Sequence, residues 1–136
     1  MKKTFWTLTL IIISIMGVIV SSYLEYASRQ PVCKIGVGEC DKVITSPYSK
    51  IYGIPLSTLG LAWFLTLLFL TIVVSYKHGK AASYLVLVWA LMSVPSVAAL
   101  LWIELAILNT ICMYCTIAHI LGVVSIIPAY KISRIR

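Results

Sequence analysis

Charge is scarce in this sequence. Its 136 residues include only eleven Lys and Arg and four Asp and Glu, whereas 61% are hydrophobic. With a mean hydropathy of +1.02, the composition lies outside the range of soluble proteins. A solvated basic face is also missing, so the net charge of +7 does not indicate nucleic acid binding. The length allows one compact domain, and the composition predicts a protein of the lipid bilayer.

The sequence also lacks anything that resembles a flavin or haem site. What it contains is four cysteines in two close pairs, Cys33 with Cys40 and Cys112 with Cys115. Two close pairs are compatible with two structural disulfides, a metal site or an electron relay.

The chain contains four apolar segments, at about 5–24, 56–76, 82–102 and 111–130. Each has the roughly 20 residues that a helix needs to cross a bilayer core. The expected fold is therefore an all-α membrane protein, a four-transmembrane-helix bundle formed by one domain, 1–136. The first segment is also compatible with a secretory signal peptide, although its apolar run is longer than usual. Pro95 should kink the third helix.

The polar stretch 25–55 joins the first two segments and holds the first cysteine pair. Its first half is expected to be a loop. Ser46 is a good N-cap type, Pro47 suits a first helical position and Gly53 suits the position after a helix. These residues predict a very short amphipathic surface helix that lies on the membrane.

Basic residues set the orientation of a multi-pass membrane protein. A cytoplasmic N-terminus leaves the inner side with no acidic residue, while all four acids lie outside. Both termini are then cytoplasmic and both cysteine pairs extracytoplasmic, in the cell membrane. The inner basic residues are Lys2, Lys3, Lys77, Lys80, Lys131, Arg134 and Arg136.

The C-x-x-C motif of Cys112 and Cys115 begins the fourth apolar segment. Its sulfurs are one helical turn apart, close to bridging distance. If Asn109 or Thr110 caps this helix, both sulfurs lie near its N-terminus, where a thiolate is favoured. Cys115 would lie about 4–5 Å deeper than Cys112, since a helix rises about 1.5 Å per residue. Cys112 therefore suits a partner from water, and Cys115 a lipid-soluble one.

His119 follows Cys115 by four residues on the same helical stripe. A histidine inside a bilayer is a functional hypothesis by default, and the alternative is a structural hydrogen bond to a neighbouring helix.

A relay accounts best for these features. Cys33 and Cys40 could exchange with a soluble dithiol and pass electrons to the C-x-x-C pair. A quinone fits a two-electron acceptor within the membrane. Inert disulfides explain a C-x-x-C at a helix mouth poorly, and a four-cysteine metal site would lack acidic or second histidine ligands nearby, so no metal is expected. A channel would need more polar residues in the second and third segments.

In order, these residues resemble the vitamin K epoxide reductase (VKOR) family in its compact prokaryotic form. The match comprises C-x6-C in the first outer loop, then Ser46-Pro47-Tyr48-Ser49, Gly53-Ile54-Pro55 and the C-x-x-C of the fourth helix. The family resembles the DsbB family in having four helices and two cysteine pairs. In the DsbB family, however, the C-x-x-C comes first.

The resemblance implies a quinone pocket at the outer face of the bundle. Cys33 and Cys40 would be the shuttle pair, Cys112 would exchange with them, and the Cys115 thiolate would contact the quinone. Ser46 would support the site by hydrogen bonding. His119 stands where vertebrate members have a tyrosine near the quinone.

The expected activity is that of a quinone-dependent thiol-disulfide oxidoreductase supporting disulfide formation. Because the chain ends at Arg136, its thioredoxin-like (DsbA-like) redox partner is expected to be a separate extracytoplasmic protein. The acceptor would be a quinone of the ubiquinone, menaquinone or phylloquinone (vitamin K) type. The alternatives are reduction of a quinone or vitamin K epoxide as the main activity, or a non-catalytic membrane protein with structural disulfides.

Overall fold

Helices dominate the computed structural model of the protein, which describes residues 2–29, 40–76 and 79–135. Within these residues, four helical stretches are long and apolar enough to cross a membrane. The predicted all-α class with four spanning helices is thus confirmed. The stretches are Lys2–Arg29, Leu56–Tyr76, Lys80–Ile107 and Met113–Arg134.

Each spanning stretch packs against its neighbours to form a bundle. The helices are α1 (Lys2–Arg29), α2 (Cys40–Thr45), α3 (Leu56–Tyr76), α4 (Lys80–Leu91), α5 (Ser93–Trp102), α6 (Met113–Val124) and α7 (Ile126–Arg134). Helix α1 lies mainly along α3 and also contacts α6 and α7. Helix α4 contacts α3 and α7, and α5 contacts α6.

Proline interrupts two of the four spans. Helix α4 ends at Leu91 and α6 ends at Val124, in each case four residues before a proline, Pro95 or Pro128. A proline lacks the N–H that would bond the carbonyl four residues back, and its ring clashes with that carbonyl. The kink predicted at Pro95 is therefore observed as an interruption, and Pro128 causes a second one that was not predicted.

Buried serines lie at both interruptions and bond neighbouring backbone carbonyls. The hydroxyl of Ser93 lies 2.7 Å from the Ala90 carbonyl oxygen and 3.1 Å from that of Gly122, on the facing helix. Ser125 donates to the Gly122 carbonyl at 2.6 Å. Because no water is present in a bilayer core, such internal partners are what makes a broken helix tolerable there.

Helix α1 continues to Arg29, past its predicted end at 24. Nothing in this stretch breaks a helix, and Glu25 pairs with Arg29 one turn later at 3.0 Å. The second carboxylate oxygen of Glu25 accepts hydrogen bonds from Ser57 at 2.8 Å and Thr58 at 2.6 Å. Glu25 therefore joins the end of α1 to the first turn of α3, where a negative charge also complements the helix dipole.

The outer loop differs in two respects from the prediction. Cys40–Thr45 forms a helix where a loop was expected. The predicted surface helix is present only as the 3-10 turn Pro47–Ser49, after which Lys50–Ile51 (β1) pairs antiparallel with Ile54–Pro55 (β2). Tyr52 and Gly53 connect the strands with φ of 52° and 83°, the positive values that a two-residue type I′ turn requires. Gly53 thus belongs to a hairpin and does not end a helix.

Two buried clusters mark opposite ends of the bundle. The larger one includes Leu10, Leu67 and Ile132, and near it Lys131 Nζ lies 6.0 Å from the Trp6 ring centroid. The smaller one is built on Leu24 and Cys112. The C-x-x-C motif therefore lies at the end of the bundle away from the basic C-terminal residues.

Close packing of α1 on α3 generates a prediction at Gly17. A Cβ at this position would overlap the ring of Phe64, which is buried. Gly17→Ala should therefore push the helices apart and lower the free energy of unfolding by about 1–3 kcal/mol. Thermal unfolding in detergent measures the effect.

Gly60→Ala is the matched control, because its Cβ would make an ordinary contact with Ser21 Oγ at 3.5 Å. Alanine also has the higher helix propensity, so this variant should be as stable as the wild type or more stable. Equal unfolding temperatures for the two variants would contradict the proposed packing.

Candidate functional site

One of the two cysteines of the C-x-x-C motif is inaccessible to solvent. Cys112 is fully buried beside Leu24 of α1, whereas Cys115 is only partly buried. The surrounding side chains come from α1, α2 and α6, and the Tyr114 ring lies 4.9 Å from that of Tyr23, centroid to centroid. The side chains that pack against the Leu24–Cys112 cluster are Val20, Val43, Ile44, Tyr114 and Cys115.

Cys112 itself caps helix α6. Its backbone is extended (φ −90°, ψ 114°), and its sulfur accepts the N–H of Cys115 at 3.4 Å. Its carbonyl accepts the N–H of Thr116 at 2.9 Å, the first intrahelical bond. The sulfur thus takes the position in which helix N-termini hold anionic groups.

Neither of the capping residue types considered from the sequence, Asn109 and Thr110, is the cap of this helix, which is Cys112. Asn109 has a φ of 49°, in the left-handed region, and lies where the third span ends. Asparagine is one of the few residues that adopt this conformation readily, so it suits the end of a helix as well as the start of one.

Glu104 connects the third span to the fourth. It lies in a π-helical turn, Ile103–Ile107, and is only 4% exposed. Its backbone carbonyl accepts the N–H of Thr110 at 3.1 Å, and its carboxylate accepts the backbone N–H of Cys112. Sequence patterns alone assign no role to Glu104. An acidic residue at the end of an apolar span was the signal that could have identified it.

Three buried polar atoms near the motif have no hydrogen-bond partner among the described residues. They are Glu104 Oε2, Thr110 Oγ1 and His119 Nδ1. Native proteins leave few buried polar atoms unpaired, so these three atoms are candidates for contact with a ligand, a water or a proton. His119 lies on α6, one turn beyond Cys115, as the predicted stripe required.

Ser46 occupies the predicted N-cap position of the turn Pro47–Ser49, with Pro47 following it. Its hydroxyl donates to the Val43 carbonyl at 2.8 Å, and its side chain makes no cap hydrogen bond to the turn. The predicted cap position is therefore confirmed, but the side-chain cap bond is absent. Through Val43, which packs against the Leu24–Cys112 cluster, Ser46 is bonded to the segment next to the motif.

The structure describes one of the two cysteines of the first pair. Cys33 lies outside the described residues, and Cys40 is described as the first residue of α2. Through Val43 and Ile44, this helix contacts the cluster that contains Cys112. The fold therefore brings the segment that starts at Cys40 to the C-x-x-C motif, although the two are far apart in sequence.

Four apolar spanning helices with a buried C-x-x-C cysteine at one end of the bundle define a multi-pass membrane protein with the residues for redox chemistry. A family model described as the vitamin K epoxide reductase family matches residues 8–130, nearly the whole of the 136-residue chain. The chain belongs to this family. Membership implies a membrane oxidoreductase associated in general with quinones and disulfide chemistry.

The capping role of Cys112 yields a prediction about its replacement. Cys112→Ser should retain a cap acceptor, whereas Cys112→Ala should lose it and cost about 0.5–2 kcal/mol of stability. Thermal unfolding of the two variants in detergent would measure the difference. If the alanine variant were at least as stable as the serine variant, the sulfur would not be acting as a cap.

Proposed function

We propose that this protein is a membrane thiol:quinone oxidoreductase that reoxidises an extracytoplasmic thioredoxin-like protein and so supports disulfide formation. The contact of α2 with the Leu24–Cys112 cluster carries this proposal. Inert disulfides would not need the loop helix to pack against the cluster that contains the C-x-x-C cysteine Cys112. A relay needs that contact, because thiol–disulfide exchange requires one sulfur to attack another.

The first transfer would run from the loop pair to Cys112. Helix α2 begins at Cys40, and its residues Val43 and Ile44 pack against the Leu24–Cys112 cluster. This supports Cys40 as the cysteine that exchanges with Cys112. Cys33 would then complete the loop pair and form the mixed disulfide with the external partner, which leaves with the disulfide bond while the loop pair becomes a dithiol.

The second transfer would run from Cys115 towards the lipid. Cys115 is partly exposed, and the buried Nδ1 of His119 is unpartnered one turn further along α6. These groups fit a quinone, whose carbonyl oxygens accept hydrogen bonds and whose ring accepts two electrons. His119 would bind and orient a carbonyl, and the Cys115 sulfur would lie at the ring. Ubiquinone, menaquinone and phylloquinone types share these carbonyls.

The orientation of the proposed relay follows the positive-inside rule. Lys131 and Trp6 lie at the end of the bundle away from Cys112, so that end would be cytoplasmic. The C-x-x-C motif, α2 and the hairpin would then lie at the extracytoplasmic face. Disulfides persist in that compartment, and a soluble redox partner would meet the loop pair there.

Trapping tests the proposed path. A variant with Cys33→Ser and Cys115→Ser retains only Cys40 and Cys112, and we expect it to form an intramolecular disulfide. The Cα atoms of the two residues must then approach to about 4.4–6.8 Å. Non-reducing mass spectrometry of peptides from the purified protein would identify the bond.

The matched control carries Cys40→Ser and Cys115→Ser, which leaves Cys33 and Cys112. It should crosslink at least about tenfold less if α2 positions the exchanging sulfur. No crosslink in either variant, with no quinone reduction by the wild type, would favour structural disulfides and contradict the relay.

His119→Phe tests the quinone end of the path. The phenyl ring retains the volume of the side chain but removes the N–H and the ring nitrogens. A hydrogen bond contributes about 0.5–1.5 kcal/mol, and more where it is buried. We therefore expect the rate of quinone reduction to fall by about tenfold or more while the unfolding temperature stays the same. Quinone reduction by a thioredoxin-like dithiol, compared for ubiquinone and menaquinone analogues, measures it. Unchanged quinone kinetics would remove His119 from the site.

A further inference from the structure

Glu104 is not explained by the relay of cysteines. It is 4% exposed at the end of a membrane span, and its Oε2 is buried without a partner among the described residues. Burying an ionisable group next to lipid costs free energy unless the group is paired. An ionisable residue in a membrane span is therefore a functional hypothesis by default. The other described acid in a spanning helix, Glu25, is in contrast bonded through both carboxylate oxygens.

A purely structural role does not require an acid at this position. The backbone N–H of Cys112 needs an acceptor, and the Glu104 carboxylate supplies one. An amide oxygen would satisfy the same N–H without the cost of a buried charge. What a carboxyl group adds is the capacity to take up and release a proton beside the reacting cysteines.

Resting on the proposed function, we propose that Glu104 holds one of the two protons of the reduced Cys112–Cys115 pair. The reduced pair then contains one thiol and one thiolate, and the Glu104 carboxyl carries the second proton. The hydrogen bond from the Cys112 N–H keeps this carboxyl beside the pair. Its unpartnered Oε2 is the atom available for the proton.

This assignment balances over the cycle. When the Cys112–Cys115 bond forms, two electrons leave the sulfurs, and the thiol proton and the Glu104 proton leave with them. These two electrons and two protons together reduce a quinone to a quinol. Glu104 is then a carboxylate. When the loop dithiol reduces the bond again, its two protons restore the thiol and the Glu104 carboxyl. Net charge at the site is the same before and after each step.

Few competing proton acceptors lie around the pair among the described side chains. The π-helical turn continues directly from α5, which carries no ionisable side chain. On α6 and at its cap, the titratable groups are Cys112, Tyr114, Cys115 and His119. Tyr23 of α1 reaches this group through its contact with Tyr114.

Infrared difference spectroscopy tests the proton directly and needs no quinone. The spectrum of dithiol-reduced minus oxidised protein should contain the C=O stretch of a protonated carboxyl. Glu104→Gln should abolish this band, whereas Glu25→Gln, the same change at an acid outside the site, should retain it. A wild type without the band, or a Glu104→Gln variant that keeps it, would overturn the proposal.

Turnover separates a proton-holding role from a structural one. Glu104→Gln can still accept the Cys112 N–H, so it should unfold at the wild-type temperature while quinone reduction falls by at least about a hundredfold, the size typical of general acid–base contributions. If Glu104→Gln reduced quinone at the wild-type rate and only Glu104→Ala lost activity, Glu104 would have a structural role and the proposal would be wrong. Absence of quinone reduction by the wild type would reject the proposed function, and the infrared band would still decide the role of Glu104.

Discussion

Backbone hydrogen bonding within a bilayer constrains every part of this protein. Lipid offers no donors or acceptors, so each break in a helix needs a partner from the chain itself. Ser93 and Ser125 lie at the breaks before Pro95 and Pro128, and their hydroxyls donate to the carbonyls of Ala90 and Gly122. Glu104 lies at the end of the third span and accepts hydrogen bonds through both its carbonyl and its carboxylate. Three buried polar side chains of the described residues therefore lie where helices are interrupted, while the other buried Ser and Thr side chains lie within helices.

The same constraint makes the two sulfurs of the motif unlike each other. Cys112 is the cap of α6, so its sulfur is buried and accepts a backbone N–H, whereas Cys115 lies within the first turn and remains partly exposed. A pair with identical chemistry in sequence thus acquires two environments, since the Cys112 side chain is fully buried at the cap and that of Cys115 is partly exposed. Glu104 and His119 add ionisable groups to this end of the bundle. The separation of roles that we propose for the two cysteines follows from this asymmetry.

The sequence was most informative where one physical rule dominates. Spans of apolar residues predicted the four helices because bilayer thickness sets their length, and Pro95 predicted a break because it lacks an N–H. The motifs also predicted the family. Sequence reasoning failed in the outer loop, where Ser46, Pro47 and Gly53 fit a helix as well as the observed 3-10 turn and hairpin. The hairpin turn uses Tyr52-Gly53, without the Asn-Gly or Asp-Gly pair that usually signals it. Asn109 likewise suits either end of a helix, and only its left-handed backbone decided between them.

By itself, the sequence determined that this is a four-helix membrane protein of the vitamin K epoxide reductase family with two cysteine pairs, because hydropathy, proline and cysteine spacing are local properties. Only the tertiary structure decided that α2 packs against the Leu24–Cys112 cluster, that Cys112 caps its own helix, and that Glu104 bonds to the Cys112 backbone. These contacts join residues from different elements, and their burial depends on how α1, α2 and the last two spans pack. Local sequence patterns carry no information about which buried atoms are left without a partner, and it is those atoms that identify the chemistry of the site.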